Sequence, residues 1–219
     1  MIIVLLGPPG AGKGTQTGAL VKRYHLLAIS TGDIFRANLT AGTPLGLEAK
    51  SYMSQGLLVP DDLTVRLVVD RLAQPDAAQD VLLDGFPRTV YQAEELEKFL
   101  ASRGQKVDHC LLLDIQEKEL TLRLTGRRVC RSCHSVWHLS FSPPPADLVC
   151  PSCGGEIYQR DDDKEAAVSN RLKVYQAQTQ PVANWYKQKG LLRVVNASGQ
   201  PLEVEKAIEK ALSQGRPQK

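Results

Sequence analysis

The chain begins with a strand, a glycine-rich loop and a helix, an order that strongly limits what it can fold into. Residues 2–6 form a short apolar run rich in β-branched side chains, as expected for a buried strand. The next segment, 7–15, is Gly-Pro-Pro-Gly-Ala-Gly-Lys-Gly-Thr, and Leu20, Val21 and Tyr24 then recur at helical spacing. This order is typical of a phosphate-binding loop.

The residues of this loop suit the binding of an anion. Glycines allow consecutive backbone N–H groups to turn inward, and the N-terminus of the following helix adds partial positive charge. We expect Lys13 to contact the β- and γ-phosphates of a nucleotide, and Thr15 to approach a magnesium ion or a phosphate oxygen. The alternative, an ordinary glycine-rich turn, does not explain the lysine after the second glycine of the pattern.

Length and composition indicate an ordinary globular protein. With 219 residues, 42% hydrophobic and 23% charged, the chain can form one substantial core. No apolar run approaches the roughly 20 residues of a membrane helix, and no basic leader precedes the first strand. The net charge of +3 is too small to indicate a nucleic-acid or membrane partner. We therefore expect a cytoplasmic monomer without either partner.

Apolar runs alternate with helical patterns along most of the chain. The predicted strands are at 2–6, 26–30, 81–84, 109–113 and 192–195. Buried strands separated by helices are characteristic of an α/β fold in which helices cover both faces of a parallel sheet. We expect such a five-stranded sheet, as in phosphate-loop NTPases.

Polar residues follow the predicted strand at 81–84. Asp84 ends the strand, and Gly85, Arg88 and Gln92 come after it. Because ligands of parallel sheets bind beyond the carboxyl ends of the strands, we expect Asp84 beside the phosphate loop, where it can hold magnesium through water. Its alternative role is to cap the following turn. Arg88 can clamp a second phosphate, since a planar guanidinium matches phosphate oxygens.

Three further arginines are candidates for phosphate contacts. We predict a helix after Asp33 with Arg36 in its first turn, where positive charge is unfavourable to the helix dipole, which suggests an anion site. A solvated side chain is the alternative. Arg160 and Arg171 are eleven residues apart, about three helical turns, so both can face one cleft if the helix that carries Arg171 begins early.

Four of the five cysteines form two CxxC pairs, Cys130 with Cys133 and Cys150 with Cys153. Sixteen residues separate the pairs, within the range of four-cysteine zinc ribbons. Four thiolates leave zinc no open position, so the predicted role is structural, in a segment with few large apolar residues. Two redox dithiols are the alternative, and two nearby histidines are weaker candidate ligands.

With these features placed, the chain resembles adenylate kinases of the long-lid bacterial type from residue 1 to about 212. The motifs that carry the resemblance are GPPGAGKGT (7–15), STGDIFR (30–36), GLLVPD (56–61), LLDGFPRT (82–89), GRRVC (126–130), RDDD (160–163) and RLKVY (171–175). The resemblance implies the reaction ATP + AMP ⇌ 2 ADP with Mg²⁺ as cofactor, and the zinc variant of the family's lid.

By position, the resemblance implies an ATP site at Gly10, Ala11, Gly12, Lys13, Gly14, Thr15, Arg123 and Arg127 and at the backbone of Gln200. It implies an AMP site at Thr31, Arg36, Leu57, Leu58, Val59, Gly85, Arg88 and Gln92, with Arg160 and Arg171 bridging the phosphates. The implied catalytic residues are Lys13, Asp84, Arg88, Arg127, Arg160 and Arg171. Asp162 and Asp163 match acids that help to order the closed lid.

The resemblance also implies a division into domains. The core comprises 1–29, 60–125 and 164–219, the AMP-binding insertion 30–59, and the zinc-containing lid 126–163. In such an enzyme the lid carries arginines to the nucleotides and excludes water, which would otherwise hydrolyse ATP.

Other functions agree less well with the sequence. A regulatory GTPase would need a base-specificity motif such as Asn-Lys-x-Asp, which the sequence lacks. A nucleic-acid-binding zinc ribbon is not expected beside the acidic run 161–163. A nucleoside monophosphate kinase for another base stays open, because the amide of Gln92 donates and accepts hydrogen bonds and can flip.

Overall fold

The computed structural model describes residues 1–213, and residues 214–219, the end of the predicted core, lie outside the described part. The strands are β1 (Ile2–Leu6), β2 (Leu27–Ser30), β3 (Val81–Asp84), β4 (His109–Asp114), β5 (Arg127–Cys130), β6 (Val136–His138), β7 (Ile157–Tyr158) and β8 (Leu192–Asn196). The α-helices are α1 (Lys13–Tyr24), α2 (Thr31–Thr40), α3 (Pro44–Met53), α4 (Asp61–Leu72), α5 (Val90–Ser102), α6 (Glu117–Thr125), α7 (Glu165–Val174), α8 (Gln180–Gln188) and α9 (Pro201–Ser213). No helix within residues 1–213 combines the length and apolar character needed to cross a membrane.

Five strands form one parallel sheet in the order β2-β3-β1-β4-β8. Their bounds differ from the predicted ones by at most one residue, so the predicted sheet is confirmed. Alternate residues of β1 enter different cores. Ile2, Val4 and Leu6 pack with α4, α5 and α8 on one face, and Ile3 and Leu5 pack with α1 and α9 on the other. Both faces are buried, which explains the continuous apolar runs.

The carboxyl ends of the three strands β1, β2 and β3 meet at one edge of the sheet. In the strand register, Asp84 at the end of β3 lies beside Leu5 of β1 and Ser30 of β2. The phosphate loop, the start of α2 and the segment 85–89 therefore leave the sheet side by side. This edge is where a parallel sheet binds its ligands.

Helices α2 and α3 form a small unit with its own core beside this edge. Phe35, Ala49 and Val59 are buried there. α2 begins at Thr31, where the side chain of Ser30 accepts a hydrogen bond from the N–H of Asp33 (3.3 Å). Arg36 is therefore in the second turn of the helix, and its predicted first-turn position was wrong, because the helix starts directly at the end of β2.

The segment between α6 and α7 contains a second, antiparallel sheet in the order β6-β5-β7. Its core is small: Cys130, Cys150 and Ile157 are buried, with Trp137 packed against them. The larger apolar side chains Val136, Leu139, Phe141, Leu148 and Val149 are exposed. Burial of apolar surface thus contributes little to the stability of this sheet.

Helices α7 and α8 are joined by a π-helical turn at 175–179, where the pitch of the helix changes locally. α7 begins at Glu165, so Arg160 lies before the helix that carries Arg171, and the early helix start considered for these two arginines was wrong. Pro181 lies in the first turn of α8. Proline lacks an N–H, and its ring conflicts with the carbonyl four residues earlier, which a wider turn accommodates.

Candidate active site

The loop after β1 wraps around the side chain of Lys13, the first residue of α1. Nζ of Lys13 donates hydrogen bonds to the carbonyl oxygens of Gly7 (2.6 Å) and Pro8 (3.0 Å). Gly12 precedes the helix with φ of 89°, in the left-handed region that favours glycine. Among the described residues no side chain caps α1, so the N–H groups of its first turn are available to an anion.

Asp84 lies close to Lys13, and burial acts on both charges. Burial lowers the pKa of Lys13 to about 7, while the carboxylate of Asp84 opposes this shift and Arg88 adds to it. Burial also raises the pKa of Asp84, against the influence of Lys13. Oδ2 of Asp84 accepts a hydrogen bond from Oγ1 of Thr17 (3.3 Å). A phosphate would stabilise the charged lysine, and a metal ion would stabilise the carboxylate.

Arg88 folds back over the backbone of Gly85. Gly85 has φ of 76°, and a Cβ atom there would lie 2.8 Å from a guanidinium nitrogen of Arg88. The carbonyl oxygen of Gly85 accepts hydrogen bonds from Nε of Arg88 (2.7 Å) and from Oγ1 of Thr31 (2.9 Å). Burial lowers the pKa of Arg88. The guanidinium is therefore fixed beyond the strand ends, where a phosphate would compensate its lost solvation.

Arg36 approaches the same region from α2 and forms an ion pair with Asp33. Burial lowers the pKa of Arg36, and the charge of Arg160 lowers it further. Arg160 also adds to the lowered pKa of Arg88, behind burial and the charge of Arg36. The predicted acceptor arginines and Arg160 thus lie within electrostatic reach of one another, although they come from three separate parts of the chain.

A pocket beside Arg88 is lined by Thr31, Gly32, Phe35, Met53, Leu57, Leu58, Val59, Thr64, Arg88 and Gln92. Gln92 is 1% exposed. Its Oε1 accepts a hydrogen bond from the N–H of Arg88 (2.7 Å), and its Nε2 donates one to Oδ1 of Asp61 (2.7 Å). The structure thus brings most residues of the predicted AMP site together around one largely apolar pocket.

Three arginines and two aspartates form a cluster between the small sheet and α7. Arg127 donates to both carboxylate oxygens of Asp163, from Nε (2.7 Å) and Nη2 (2.5 Å). Arg160 donates to both oxygens of Asp162, from Nε (2.9 Å) and Nη2 (2.6 Å). Nη1 of Arg171 contacts Asp163 (3.0 Å) and Asp162 (3.2 Å). The cluster keeps one excess positive charge.

Burial and charge act in opposite directions within this cluster. Burial disfavours the charge of Asp162, but Arg171 and Arg160 outweigh it and hold the pKa of the carboxyl well below its usual range. Burial lowers the pKa of Arg171 to about 10, against the effect of Asp162. Burial likewise opposes the charge of Arg160, yet Asp162 and Asp163 raise its pKa. The acids therefore keep buried arginines charged.

Arg123 contacts the segment that contains Gln200. Arg123 donates from Nη2 to Glu119 (3.2 Å) and from Nη1 to the carbonyl of Ala197 (3.3 Å). The N–H of Gln200 donates to Oε2 of Glu203 (2.9 Å) at the start of α9. The side chain of Gln16 in α1 donates to the carbonyl of Pro201 (3.0 Å). The segment that contains Gln200 is thereby attached to the helix that follows the phosphate loop.

Comparison with known proteins identifies the family. A family model described as adenylate kinase matches residues 5–191. The chain belongs to the adenylate kinase family.

Curated relatives agree with this assignment over nearly the whole chain. An adenylate kinase of Syntrophobacter fumaroxidans is 53% identical over 199 residues, which cover 91% of this chain and 93% of the relative. An adenylate kinase of Desulfitobacterium hafniense is 49% identical over 98% of this chain and 99% of its own length. An adenylate kinase of Methanocella arvoryzae is 52% identical over 97% of this chain and 98% of its own length.

The small sheet of this adenylate kinase family member also contains a group of four cysteine sulfur atoms. Sγ atoms of Cys130, Cys133, Cys150 and Cys153 all lie within 4.8 Å of one another. The Sγ distances are 3.4 Å between Cys130 and Cys153 and 3.5 Å between Cys133 and Cys150. Zinc with four bonds of about 2.3 Å requires sulfur atoms about 3.8 Å apart. The donor set therefore fits a zinc ion with four protein ligands.

Hydrogen bonds to two of these sulfur atoms, those of Cys130 and Cys133, favour the thiolate form that binds metal. At Cys153 the backbone of Gly155 lowers the pKa, but contacts with the sulfur atoms of Cys133 and Cys130 outweigh it and raise the pKa to about 12. The side chain of Ser135 (3.1 Å from Sγ) and then its backbone lower the pKa of Cys133 to about 6. Backbone N–H groups of Ser132 and Cys133 point to Sγ of Cys130 at 3.4 and 3.5 Å. The fifth cysteine, Cys110, is buried in the main core, and burial raises its pKa.

Sequence reasoning missed two polar contacts of the site. It considered the hydroxyl of Thr15, which is exposed, whereas Thr17 is the residue that contacts Asp84. The spacing holds a signal for this, because Thr17 is four residues after Lys13 and shares its helix face. Asp61 was named only as part of the GLLVPD motif, and its contact with Gln92 joins the separate helices α4 and α5.

Proposed function

We propose that this adenylate kinase family member transfers a phosphoryl group reversibly from ATP to AMP, giving two molecules of ADP, with Mg²⁺. One observation carries the proposal beyond family membership. The charges of Asp84, Arg88, Arg171 and Arg127 all act on the ammonium group of Lys13 in the phosphate loop. This supports the proposal that a donor-phosphate site and an acceptor-phosphate site share one edge of the sheet.

The residues divide into two sets that face this edge. The proposed donor residues are Gly10, Ala11, Gly12, Lys13, Gly14, Thr15, Arg123, Arg127 and the backbone of Gln200. The proposed acceptor residues are Thr31, Arg36, Leu57, Leu58, Val59, Gly85, Arg88 and Gln92. Such a site positions a phosphate oxygen of AMP in line with the terminal phosphate of ATP, so no side chain is needed as a nucleophile.

Lys13, Arg88, Arg127, Arg160 and Arg171 supply the positive charge that phosphoryl transfer requires. Carbonyl oxygens and carboxylates hold their ammonium and guanidinium groups in defined orientations before phosphates bind. Preorganised donors aimed at developing charge are a large contribution to catalysis. We assign these five residues, together with Asp84, as the catalytic set.

Asp84 is the residue that would hold Mg²⁺, directly or through water, beside the hydroxyl of Thr17. Its buried carboxylate needs a compensating charge, and a hard oxygen ligand at the strand end suits this ion. When bound, Mg²⁺ neutralises charge on the donor phosphates. The carboxylate of Asp84 also stabilises the ammonium of Lys13, which contacts the same phosphates in this proposal.

The proposed domains follow the two units that flank the site. Residues 30–59 form the AMP-binding insertion and 126–163 the lid, and the remainder forms the core. The lid brings Arg127 and Arg160 to the nucleotides and excludes water, and its zinc ion has a structural role. The two CxxC pairs suit a metal site better than disulfides, which supports a cytoplasmic location, and we propose that the protein acts as a monomer.

A coupled assay with Mg-ATP and AMP, CMP, UMP or GMP as acceptor tests the proposal. We expect AMP to be the preferred acceptor by kcat/KM and ADP to be the product from both nucleotides. A preference for another monophosphate would assign the chain to a different acceptor base. Hydrolysis of ATP without transfer to any acceptor would contradict the proposed reaction.

A further inference from the structure

The side-chain amide of Gln92 has its two ends held by different partners. Oε1 accepts from the N–H of Arg88 and Nε2 donates to Asp61, both at 2.7 Å. If the amide flipped, two donors would face each other at Arg88 and two acceptors at Asp61. Because Gln92 is nearly fully buried, water cannot relieve either conflict. The amide therefore has one stable orientation.

Asp61 is itself fixed in position. Its Oδ2 accepts a hydrogen bond from Oγ1 of Thr89 (2.9 Å), and the same hydroxyl oxygen accepts one from the N–H of Gln92 (3.2 Å). Asp61 is the first residue of α4, whereas Thr89 caps α5. The three residues form a closed ring of hydrogen bonds between two helices, with the carboxylate of Asp61 directed at the amide.

We infer that Asp61 is a positioning residue that selects the base of the acceptor by holding the Gln92 amide in this orientation. The inference rests on the proposed function, because it assigns the pocket beside Arg88 to a nucleoside monophosphate. Gln92 itself contacts the base, and Asp61 acts only through it.

The selection of the base follows from the positions of hydrogen-bond donors and acceptors on the Gln92 amide and on the edge of the base. With one N–H and one lone pair already used, the amide keeps one donor on Nε2 and one acceptor on Oε1. Adenine presents the acceptor N1 beside the donor N6–H. Hypoxanthine and guanine present the donor N1–H beside the acceptor O6. Both kinds of base match an amide, but in opposite orientations, so only a fixed amide distinguishes them.

The test compares AMP with inosine monophosphate, which differs from AMP at this edge without added bulk. We expect Asp61→Ala to lower the ratio of kcat/KM for AMP to that for inosine monophosphate by about tenfold, the effect of losing one charged hydrogen bond. The change should appear mainly in KM for the acceptor, while KM for ATP stays constant.

Two further variants separate positioning from stability. Asp62→Ala is the matched control, because Asp62 is the second acid in the same helix turn, but its carboxylate accepts a hydrogen bond from the hydroxyl of Tyr91 (3.0 Å) and not from Gln92. Asp62→Ala should leave the ratio of kcat/KM for AMP to that for inosine monophosphate unchanged. Asp61→Asn removes the charge but keeps an acceptor oxygen for Nε2, so it should retain most of the discrimination.

If Asp61→Ala does not fold, Asp61→Ser keeps a residue suited to a helix start and its hydroxyl is too short to reach Gln92. Asp61→Ser should lower the ratio of kcat/KM for AMP to that for inosine monophosphate as much as Asp61→Ala does. An unchanged ratio in folded Asp61→Ala or Asp61→Ser, with AMP activity in the wild-type protein, overturns the inference alone. A wild-type protein that does not phosphorylate AMP overturns the proposed function and the inference with it.

Discussion

Arg127 and Asp163, 36 residues apart in the chain, form an ion pair with two hydrogen bonds, 2.7 Å from Nε to Oδ2 and 2.5 Å from Nη2 to Oδ1. The side chain of Asp163 is fully buried, and it also contacts Arg171 of α7. One carboxylate thus connects the start of the small sheet to the helix after it. The same carboxylate holds two arginines that we assign to phosphate binding.

Asp163→Ala should destabilise the protein by about 3–5 kcal/mol, because it leaves buried arginine charge without its partner. Chemical unfolding followed by circular dichroism measures the change. Asp161→Ala is the control, since Asp161 is exposed and pairs only with Lys164 among the described residues; it should change stability by less than about 0.5 kcal/mol. Equal effects of the two substitutions would contradict a special role for Asp163.

Asp162→Asn should reduce stability at neutral pH, and the deficit should shrink as the pH falls into the acid range. The pKa of Asp162 in the folded protein lies below its ordinary value, since Arg171 and Arg160 outweigh burial. Such a group contributes stability above the ordinary carboxyl pKa of about 3.9 and loses that contribution as pH falls below it. Urea unfolding at several pH values between about 7 and 2 tests this. A deficit that is constant across the series would exclude the linkage.

Nucleotide binding should be coupled to protonation of Lys13. Its folded-state pKa is lowered to about 7 by burial, and bound phosphates favour the charged form, so they raise that pKa. Affinity is then greatest below pH 7 and falls as pH rises above it, with net proton uptake. Calorimetry of ADP binding at pH 8 in buffers of different ionisation enthalpy measures this uptake, and subtracting Lys13→Met removes the nucleotide's own titration. Identical uptake in both proteins would refute the assignment.

Arg88→Ala should lower kcat/KM for AMP by about 10²–10³-fold, the usual effect of losing one charge-stabilising donor. The fold should persist, because Arg88 contacts the backbone of Gly85 and does not belong to either sheet-face core. Arg103→Ala, at an exposed arginine over the ring of Phe99, is the control and should retain activity. Near-normal turnover and AMP affinity in Arg88→Ala would show that the residue does not bind phosphate.

One zinc ion per chain should bind at Cys130, Cys133, Cys150 and Cys153, and its removal should lower the unfolding temperature. The sheet around it buries few apolar side chains, so metal binding provides much of its folding free energy. Residual phosphoryl transfer should remain at low temperature, and cadmium should restore both stability and most activity. Metal analysis, a chelator series and thermal unfolding provide the test. Stability restored by cadmium without activity would point to a chemical role for zinc.

Local patterns were sufficient to predict the parallel sheet and many candidate site residues. The five buried strands were evident because both faces of a parallel sheet are covered, which leaves continuous apolar runs. The phosphate loop was evident because Gly12 and Lys13 are needed at fixed positions between a strand and a helix. The start of α2 was misplaced by a few residues, because Ser30 both ends β2 and caps the helix.

The sequence by itself determined the elements, the phosphate loop and the four-cysteine motif, since each depends on residues close together in the chain. Only the tertiary structure decided which charges share a partner. Asp163 reaches Arg127 and Arg171, Thr17 reaches Asp84, and Asp61 holds the amide of Gln92 from 31 residues away. Ion pairs and hydrogen bonds depend on distances of about 3 Å. Such distances between separate helices and strands are set by how the elements pack, which local spacing does not encode.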